Sequence, residues 1–359
     1  MRNFVIFVLL ILLVFIRYFS TRPGFQDGQK VRITGKITTV PIKYSDSQRV
    51  EIAGLKTYLP LFPEIFYGDK IVVEGVVENK DLPRGGLLKD PKLLEKVEGN
   101  NFLENFRQKI ISFYQKYLPE PHASLVAGIT LGAKSSLPED FWNSLKKTGT
   151  AHVVVASGMN VTFVAGFLMA AVVLFVPRRR AIPLVLVGIL FYCALAGFDA
   201  PIVRAGVMGA LAFLAQETGR LASSFRILAI SALLMLVFRP DWITDLGFIL
   251  SFVATASLMV FQRGIEKRLM KVPNLIREGL STSLAAQIGV TPILFVTFGY
   301  FNILSPIINA LVLWTVPALM IIGATAGLIG LIIPPLGSLI LYLAYPLTWW
   351  FVKVVEIFG

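Results

Sequence analysis

The chain has 359 residues, 55% of them hydrophobic and only 16% charged, with a formal net charge of +12. A soluble domain carries about a quarter charged residues. Here most charges lie before residue 150 and the mean hydropathy is +0.71, which excludes a large soluble core for the second half and points to a lipid-solvated bundle. The single cysteine, Cys193, excludes an intrachain disulfide and a cysteine metal cluster, and two histidines, His122 and His152, cannot build a His-rich dinuclear site, so no metal or other cofactor is expected. The basic excess has two readings, a cytoplasmic-loop bias and attraction to a polyanion.

Residues 3–19 are nearly all apolar and just long enough to span a bilayer. No small-residue cleavage site follows, so residues 1–20 read as a retained transmembrane anchor rather than a removed signal peptide. Residues 24–100 change character. Runs such as VRITGKITTV, RVEIAGLKTYLP and GDKIVVEGVVENK alternate in part and are broken by Gly, Pro, Ser and Asp. Several short strands in so short a stretch predict a small barrel, with an OB-like fold as the best match. Residues 101–149 read as amphipathic or interfacial helices, the first carrying Phe102, Phe106, Ile110, Phe113 and Tyr117 at helical spacing.

From residue 150 to 359, hydrophobic segments follow closely, near 151–176, 181–197, 201–216, 226–238, 245–262, 279–300, 303–333 and 335–357. The run at 226–238 is short enough to be re-entrant, and Pro306 and Pro317 are expected to break the long run at 303–333. The predicted fold is a polytopic α-helical membrane bundle of about eight to nine hydrophobic segments, some broken or re-entrant, with an inserted small all-β OB-like extracytoplasmic domain. With the N-terminus inside and residues 20–150 outside, the inside loops hold Arg178, Arg179, Arg180, Arg220, Arg226, Arg263, Lys267, Arg268, Lys271 and Arg277, while the outside loops hold only Arg239. That asymmetry is a positive-inside signal. No internal repeat or low-complexity tract is present.

Three groups of polar residues stand out. His152, Ser157, Gly158 and Asn160 lie at or inside the mouth of a membrane helix, where polar groups must be paired or line a wet cavity. Ser157 and Asn160 are neighbours on a continuous helix, whereas Gly158 would let the chain unwind and expose backbone carbonyls. A packing reading stands beside these, because Gly158, Thr162, Gly166 and Ala170 form a small-residue stripe suited to close helix contact. A Ser–His hydrolase finds little support: Ser157 and His152 face different sides of a helix and no third orienting acid is near. In the second group, Arg204 is either a snorkelling arginine paired with Asp199 or a cation that meets an anionic substrate. The third comprises Asp245, Ser251, Gln287, Thr291 and Asn309, for which interhelical hydrogen bonding is the default role, although nearby Pro292, Pro306 and Pro317 suggest the interrupted helices of transport sites. Gly323 and Gly327 form a GxxxG read as packing. The chain holds no P-loop, HExxH or GxSxG motif, so neither an ATPase nor a hydrolase of those kinds is indicated.

The stretch from Leu125 to Phe167 resembles the start of the competence domain of the ComEC family, inner-membrane channels for transforming DNA. Ile129, Leu131-Gly132, Leu137, Phe141, Thr148-Gly149, His152, Ser157-Gly158 and Val161 fit its LxLG and TGxxHxxxxSG patterns. Gly197, Pro201, Arg204-Ala205 and Met208 are similar to its PxxRAxxM, Gly247 to Phe252 to its GFQLSF, and Gln287, Gly289, Pro292, Phe298-Gly299, Ser305-Pro306, Asn309 and Pro317 to its last polar block. Order and spacing hold over about residues 120–335. Two positions depart: Asn160 stands where the family has its second His, and Ile249 where it has Gln. Many members also carry a C-terminal metallo-β-lactamase-like nuclease domain; none is expected here, and strand degradation is expected of a separate polypeptide.

The resemblance implies passage of single-stranded DNA into the cell by a channel that is not itself an enzyme. The expected path residues are His152, Ser157, Gly158, Asn160, Asp199, Arg204, Ser251, Gln287 and Asn309. The expected DNA-binding residues of the OB-like domain are Lys30, Arg32, Lys36, Lys43, Tyr44, Lys56 and Tyr58, which are basic and aromatic as a single-strand platform requires. Partners on this reading are single-stranded DNA, membrane lipid, a DNA receptor, an ATP-driven motor and a separate nuclease. A transporter for another anionic solute and a non-conducting membrane scaffold are the rival readings.

Overall fold

The computed structural model describes residues 2–20, 25–37, 39, 41–43, 46–78, 86–99, 102–133, 137–155, 157–217, 223–299 and 302–359. They fall into two compact units, one of residues 1–108 with 236–244 and one of residues 109–235 with 245–359.

The first unit opens with the apolar helix α1 (Arg2–Ser20). Among the described residues six strands follow: β1 (Lys30–Lys36), β2 (Ile42–Lys43), β3 (Ser47–Ile52), β4 (Leu55–Pro60), β5 (Lys70–Glu78) and β6 (Leu87–Val97). They form one mixed sheet in the order β1-β5-β6-β4-β3-β2. Every pairing is antiparallel except β4 with β6, which is parallel through Lys56↔Leu87 and Thr57↔Leu88. The sheet curls on itself: Gly35 of β1 lies so close to Ile52 of β3 that a Cβ there would sit 2.9 Å from the Ile52 side chain. Alternation of side chains along each strand then sends Val31, Ile33, Val50, Ile52, Leu55, Leu59, Ile71, Val73, Val77 and Leu88 into one enclosed core. Gln48, fully buried, ties the loop after β4 to the sheet. Its Nε2 donates to the carbonyls of Pro60 at 2.7 Å and Pro63 at 2.8 Å, and its Oε1 accepts from Ile65 N–H. Asp69 does the same for the start of β5, accepting from Phe66 and Gly99 N–H with Lys96 Nζ at 3.5 Å.

Helix α2 (Phe102–Tyr117) runs into the second unit. There α3 (His122–Leu131), α4 (Glu139–Thr148), α5 (Ala151–Val154), α6 (Gly158–Val173), α7 (Arg178–Leu195), α8 (Ala200–Glu217), α9 (Ser224–Phe238), α10 (Leu246–Arg268), α11 (Asn274–Phe298), α12 (Ser305–Val312), α13 (Val316–Gly330), α14 (Pro334–Tyr342) and α15 (Tyr345–Phe358) follow. Among the described residues four stretches are long and apolar enough to cross a membrane: Ala151–Val173, Leu246–Arg268, Arg277–Thr297 and Ser305–Gly330. The pair α14 and α15, bent by 45°, makes a fifth if it is one span. Each predicted hydrophobic run coincides with helix, but Ala200–Ala215 and Ser224–Phe238 are short for a span, and α7 opens on three arginines. Pro306 and Pro317 do not cut a helix in its middle. They occupy the first turns of α12 and α13, where a missing N–H costs nothing.

Within 101–149 the central helix departs from an amphipathic reading. All ten residues of α3 are buried, because the helix is apolar on every side and so belongs inside a bundle. One face of the second half of α2, with Ile110, Ile111, Phe113 and Tyr114, is also buried, and Tyr114 donates its hydroxyl to the Gly323 carbonyl at 2.7 Å. Gly323 and Gly327 admit this contact: a Cβ on Gly323 would strike Thr130, and one on Gly327 would lie 2.7 Å from the Tyr114 hydroxyl. The GxxxG is therefore an intrachain packing seam. Gly132 and Gly149, at φ 67° and 73°, close α3 and α4 in the left-handed conformation, which a side chain would strain.

Candidate functional site

The span that begins at Ala151 is interrupted. Helix α5 ends at Val154, Val155 and Ser157 are extended, and α6 starts at Gly158. Ser157 and Asn160 are neighbours, as their spacing suggests, but across a helix start rather than along a continuous helix. Ser157 Oγ donates to Asn160 Oδ1 at 3.2 Å. Asn160 is fully buried and its Nδ2 donates to the Ile129 carbonyl at 3.0 Å, which joins α6 to α3. The Tyr192 hydroxyl of α7 faces Asn160 without reaching a hydrogen bond. The small-residue stripe does not pack along its length: a Cβ on Gly166 would meet nothing within 4 Å.

Arg204, in the early turns of α8, brings three of the sequence blocks together. Its Nη1 donates to the Ser251 carbonyl of α10 at 2.6 Å, and its guanidinium lies 6.0 Å from the centre of the Phe252 ring. Its Nη2 rests on the backbone of Gly158, 2.6 Å from where a Cβ would stand. The pairing with Asp199 is not formed, and among the described residues Arg204 makes no ion pair. Asp199 instead stands at the N-terminus of α8, its carbonyl accepting from Ile202 and Val203 N–H. Asp245 caps α10, accepting from Phe248 N–H at 2.7 Å.

A second group forms around the end of α4. His152 Nδ1 is 2.9 Å from the Gly149 carbonyl, and its side chain is exposed. Gly149 packs against the Ser305 side chain. Asn309, buried, donates to Ser283 Oγ at 3.1 Å and to Ser305 Oγ at 3.3 Å. Gln287 Nε2 donates to the Asn302 carbonyl at 3.1 Å, and Asn302 Nδ2 to the Lys147 carbonyl at 2.8 Å. Gln287 and Asn309 thus have the interhelical and loop-tying bonds expected of lone polar residues in apolar runs. Asp199 at the start of α8 aside, the path residues separate into Ser157, Gly158, Asn160, Arg204 and Ser251 in one group and His152, Gln287 and Asn309 in the other. Tyr192 in the first, with Ser283 and Asn302 in the second, escaped the sequence reading. Tyr192 had a signal, a phenol inside an apolar run. Phe252 lay in a matched motif but was not singled out as a path residue.

In the sheet unit the basic candidates divide between strands. Lys30, Arg32 and Lys36 are exposed on β1, and Lys30 pairs with Glu74 at 2.7 Å. That hydrogen bond and charge hold Glu74 below the usual carboxylate range and Lys30 above its own. Lys56 and Tyr58 lie on β4, separated from β1 in the sheet order by β5 and β6. Their opposites on β3 are Glu51 and Arg49. Lys43 falls in β2, with its side chain outside the described residues, as is Tyr44 altogether. Among the described residues no three His, Cys, Asp or Glu side chains gather as metal ligands would.

The family described as competence protein matches residues 129–359, more than half of the chain and the part that holds both polar groups. The chain belongs to the competence protein family. It is similar to the ComE operon protein 3 of Bacillus subtilis (strain 168), 26% identical over 226 residues, which cover 63% of this chain and 29% of the relative. The competence protein ComA of Neisseria gonorrhoeae is 28% identical over 220 residues, 56% of this chain and 30% of the relative. An uncharacterized protein of Aquifex aeolicus (strain VF5) is 29% identical over 228 residues, 60% of this chain and 52% of the relative. The chain thus spans about a third of the first two relatives and about half of the third. No solved structure matches. With its apolar helices, this competence family chain is a multi-pass membrane protein.

Proposed function

We propose that this chain is a conduit for single-stranded DNA across the cytoplasmic membrane during natural competence, with the N-terminus inside and residues 20–150 outside. The observation that carries the reading is the convergence of three separated sequence blocks on Arg204: Gly158 at the break before α6, Arg204 itself, and Ser251-Phe252 of α10. A cation at an interrupted membrane helix suits a polyanion's backbone. The path continues past His152, whose exposed ring sits at the start of the same interrupted span, with Ser157, Asn160, Asp199, Gln287 and Asn309 along it.

The sheet unit is read as an OB-like receiving domain. Its strand order, its single parallel pair and the close approach of β1 to β3 support that reading. The strand-binding strip in such a fold is the outer face of β3 and β4, which here carries Arg49, Lys56 and Tyr58. A receptor outside, an ATP-driven motor and a nuclease on other polypeptides complete the proposed system.

The test is entry of a labelled single strand into liposomes that contain the full chain. Accumulation that depends on the chain and falls in R204Q supports the conduit. Conductance of small anions without strand entry favours the solute transporter, and neither activity favours the scaffold.

A further inference from the structure

We propose that Arg204, the first turn of α6 and the Tyr192 hydroxyl form a built binding site for a phosphodiester group. The inference deepens the conduit reading and depends on it only for the claim that the group belongs to a DNA strand.

The argument is a count of donors against acceptors. Arg204 brings five N–H donors and a permanent charge. One of them is used on the Ser251 carbonyl, Nε is buried with no hydrogen-bond partner, and among the described residues no carboxylate pairs with the charge. The guanidinium rests on Gly158, the first residue of a helix of sixteen residues. The backbone N–H groups of Gly158 and Met159 open that turn at the positive end of the helix dipole, while that of Asn160 already bonds to the Ser157 carbonyl at 3.1 Å. No side chain caps the turn, and the Ser157 hydroxyl donates to Asn160 Oδ1. Tyr192, 7% exposed, aims an unpartnered hydroxyl at Asn160 in the same turn.

Three sets of donors therefore lie about one helix turn, two of them positive, and among the described residues no anion stands with them. Proteins leave buried donors unpaired where a ligand completes them, and a cation beside a helix N-terminus lacks its counter-charge until an anion arrives. A phosphodiester supplies two non-bridging oxygens that share one negative charge, which match the guanidinium fork and the backbone N–H groups together. Gly158 belongs to the site because any side chain there would displace the guanidinium. Two sources carry this group, a nucleic-acid backbone and a phospholipid head group.

The experiment uses the full chain, delipidated in a maltoside detergent. Thermal midpoint and native mass are read with an abasic deoxyribose-phosphate oligomer and, separately, with phosphatidylglycerol. The wild type should bind and melt higher with ligand. R204Q should lose about tenfold or more in affinity, the scale of a bidentate charged contact. Y192F should bind less tightly while its unliganded midpoint does not fall. Binding of the oligomer identifies the strand as ligand, and binding of phosphatidylglycerol alone identifies the head group. If R204Q does not fold, G158A and Y192F carry the test, and binding equal to wild type in both overturns the site, as does a folded R204Q that binds normally or a wild type that binds neither ligand. Oligomer binding together with normal DNA entry in cells lacking the protein would keep this site and reject the conduit. A loss of entry without phosphodiester binding would do the reverse.

Discussion

Asn160 donates its side-chain amide to the carbonyl of Ile129, 3.0 Å away, and is itself fully buried. The bond ties the break before α6 to α3, the buried helix that also receives Gly323 of α13 through Thr130. Asn160 stands at the position where the resembled motif has a histidine, a residue type that also carries an N–H donor. Asn160→Leu leaves the carbonyl unpaired in an apolar setting and should cost about 1–3 kcal/mol. Asn160→His should cost clearly less. Equilibrium unfolding in mixed micelles compares them, and equal losses would mean that the bond contributes nothing.

Backbone contact makes a second prediction. A Cβ on Gly337 of α14 would strike the backbone of Gly330 in α13, and a backbone cannot rotate away as a side chain can. Gly337→Ala should cost about 1–3 kcal/mol through overpacking. Gly166→Ala, which meets nothing within 4 Å, should change stability by no more than about 0.5 kcal/mol. The same unfolding assay reads both.

The sheet unit has a pH signature at Glu51. Burial raises its pKa, with Asp241 adding to the rise and Lys56, Arg239 and Arg49 opposing it. A carboxylate with a raised folded pKa destabilises the fold when ionised, so this contribution to stability recovers as pH falls through that pKa. Glu51→Gln should therefore slow amide hydrogen exchange in β3 and β4 of the full chain at neutral pH, and the gain should vanish in acid. A gain that persists unchanged in acid would assign the effect to packing. The Lys30–Glu74 pair runs the other way, since the lowered Glu74 pKa makes its contribution fade as pH falls.

Single-strand binding should depend on β4 more than on β1. Tyr58→Ala in the full chain should cost about 1–3 kcal/mol, the value of one stacked base. Lys56→Ala should reduce the salt dependence of binding. Lys30→Ala should change little, because its charge is already engaged by Glu74. Fluorescence anisotropy with a short labelled strand at several salt concentrations measures all three, and a larger effect at Lys30 than at Tyr58 would move the interface to β1.

Much of the architecture was legible because hydrophobic periodicity and turn residues are local signals. The sheet segment, the apolar helices and the break near Gly158 all follow from short windows of sequence. What was not legible depends on partners distant in the chain. The residues of α2 that alternate as an amphipathic surface helix are half buried against α13, since small residues at Gly323 and Gly327 let Tyr114 approach. Arg204 and Asp199 stand in one block of sequence, yet Arg204 turns to Gly158 and Ser251, which belong to other blocks. Lys30 and Lys56 look alike in sequence, but strand order sets them apart and gives only Lys30 an acid neighbour at 2.7 Å.

The most direct test of the conduit is entry of fluorescent DNA into cells that lack this gene, complemented by wild type, His152→Ala or Arg204→Gln. The account predicts that DNA stays outside the cytoplasm without the protein, that wild type restores entry, and that Arg204→Gln restores little of it although the protein is present in the membrane. Normal entry in the deletion strain would contradict the account.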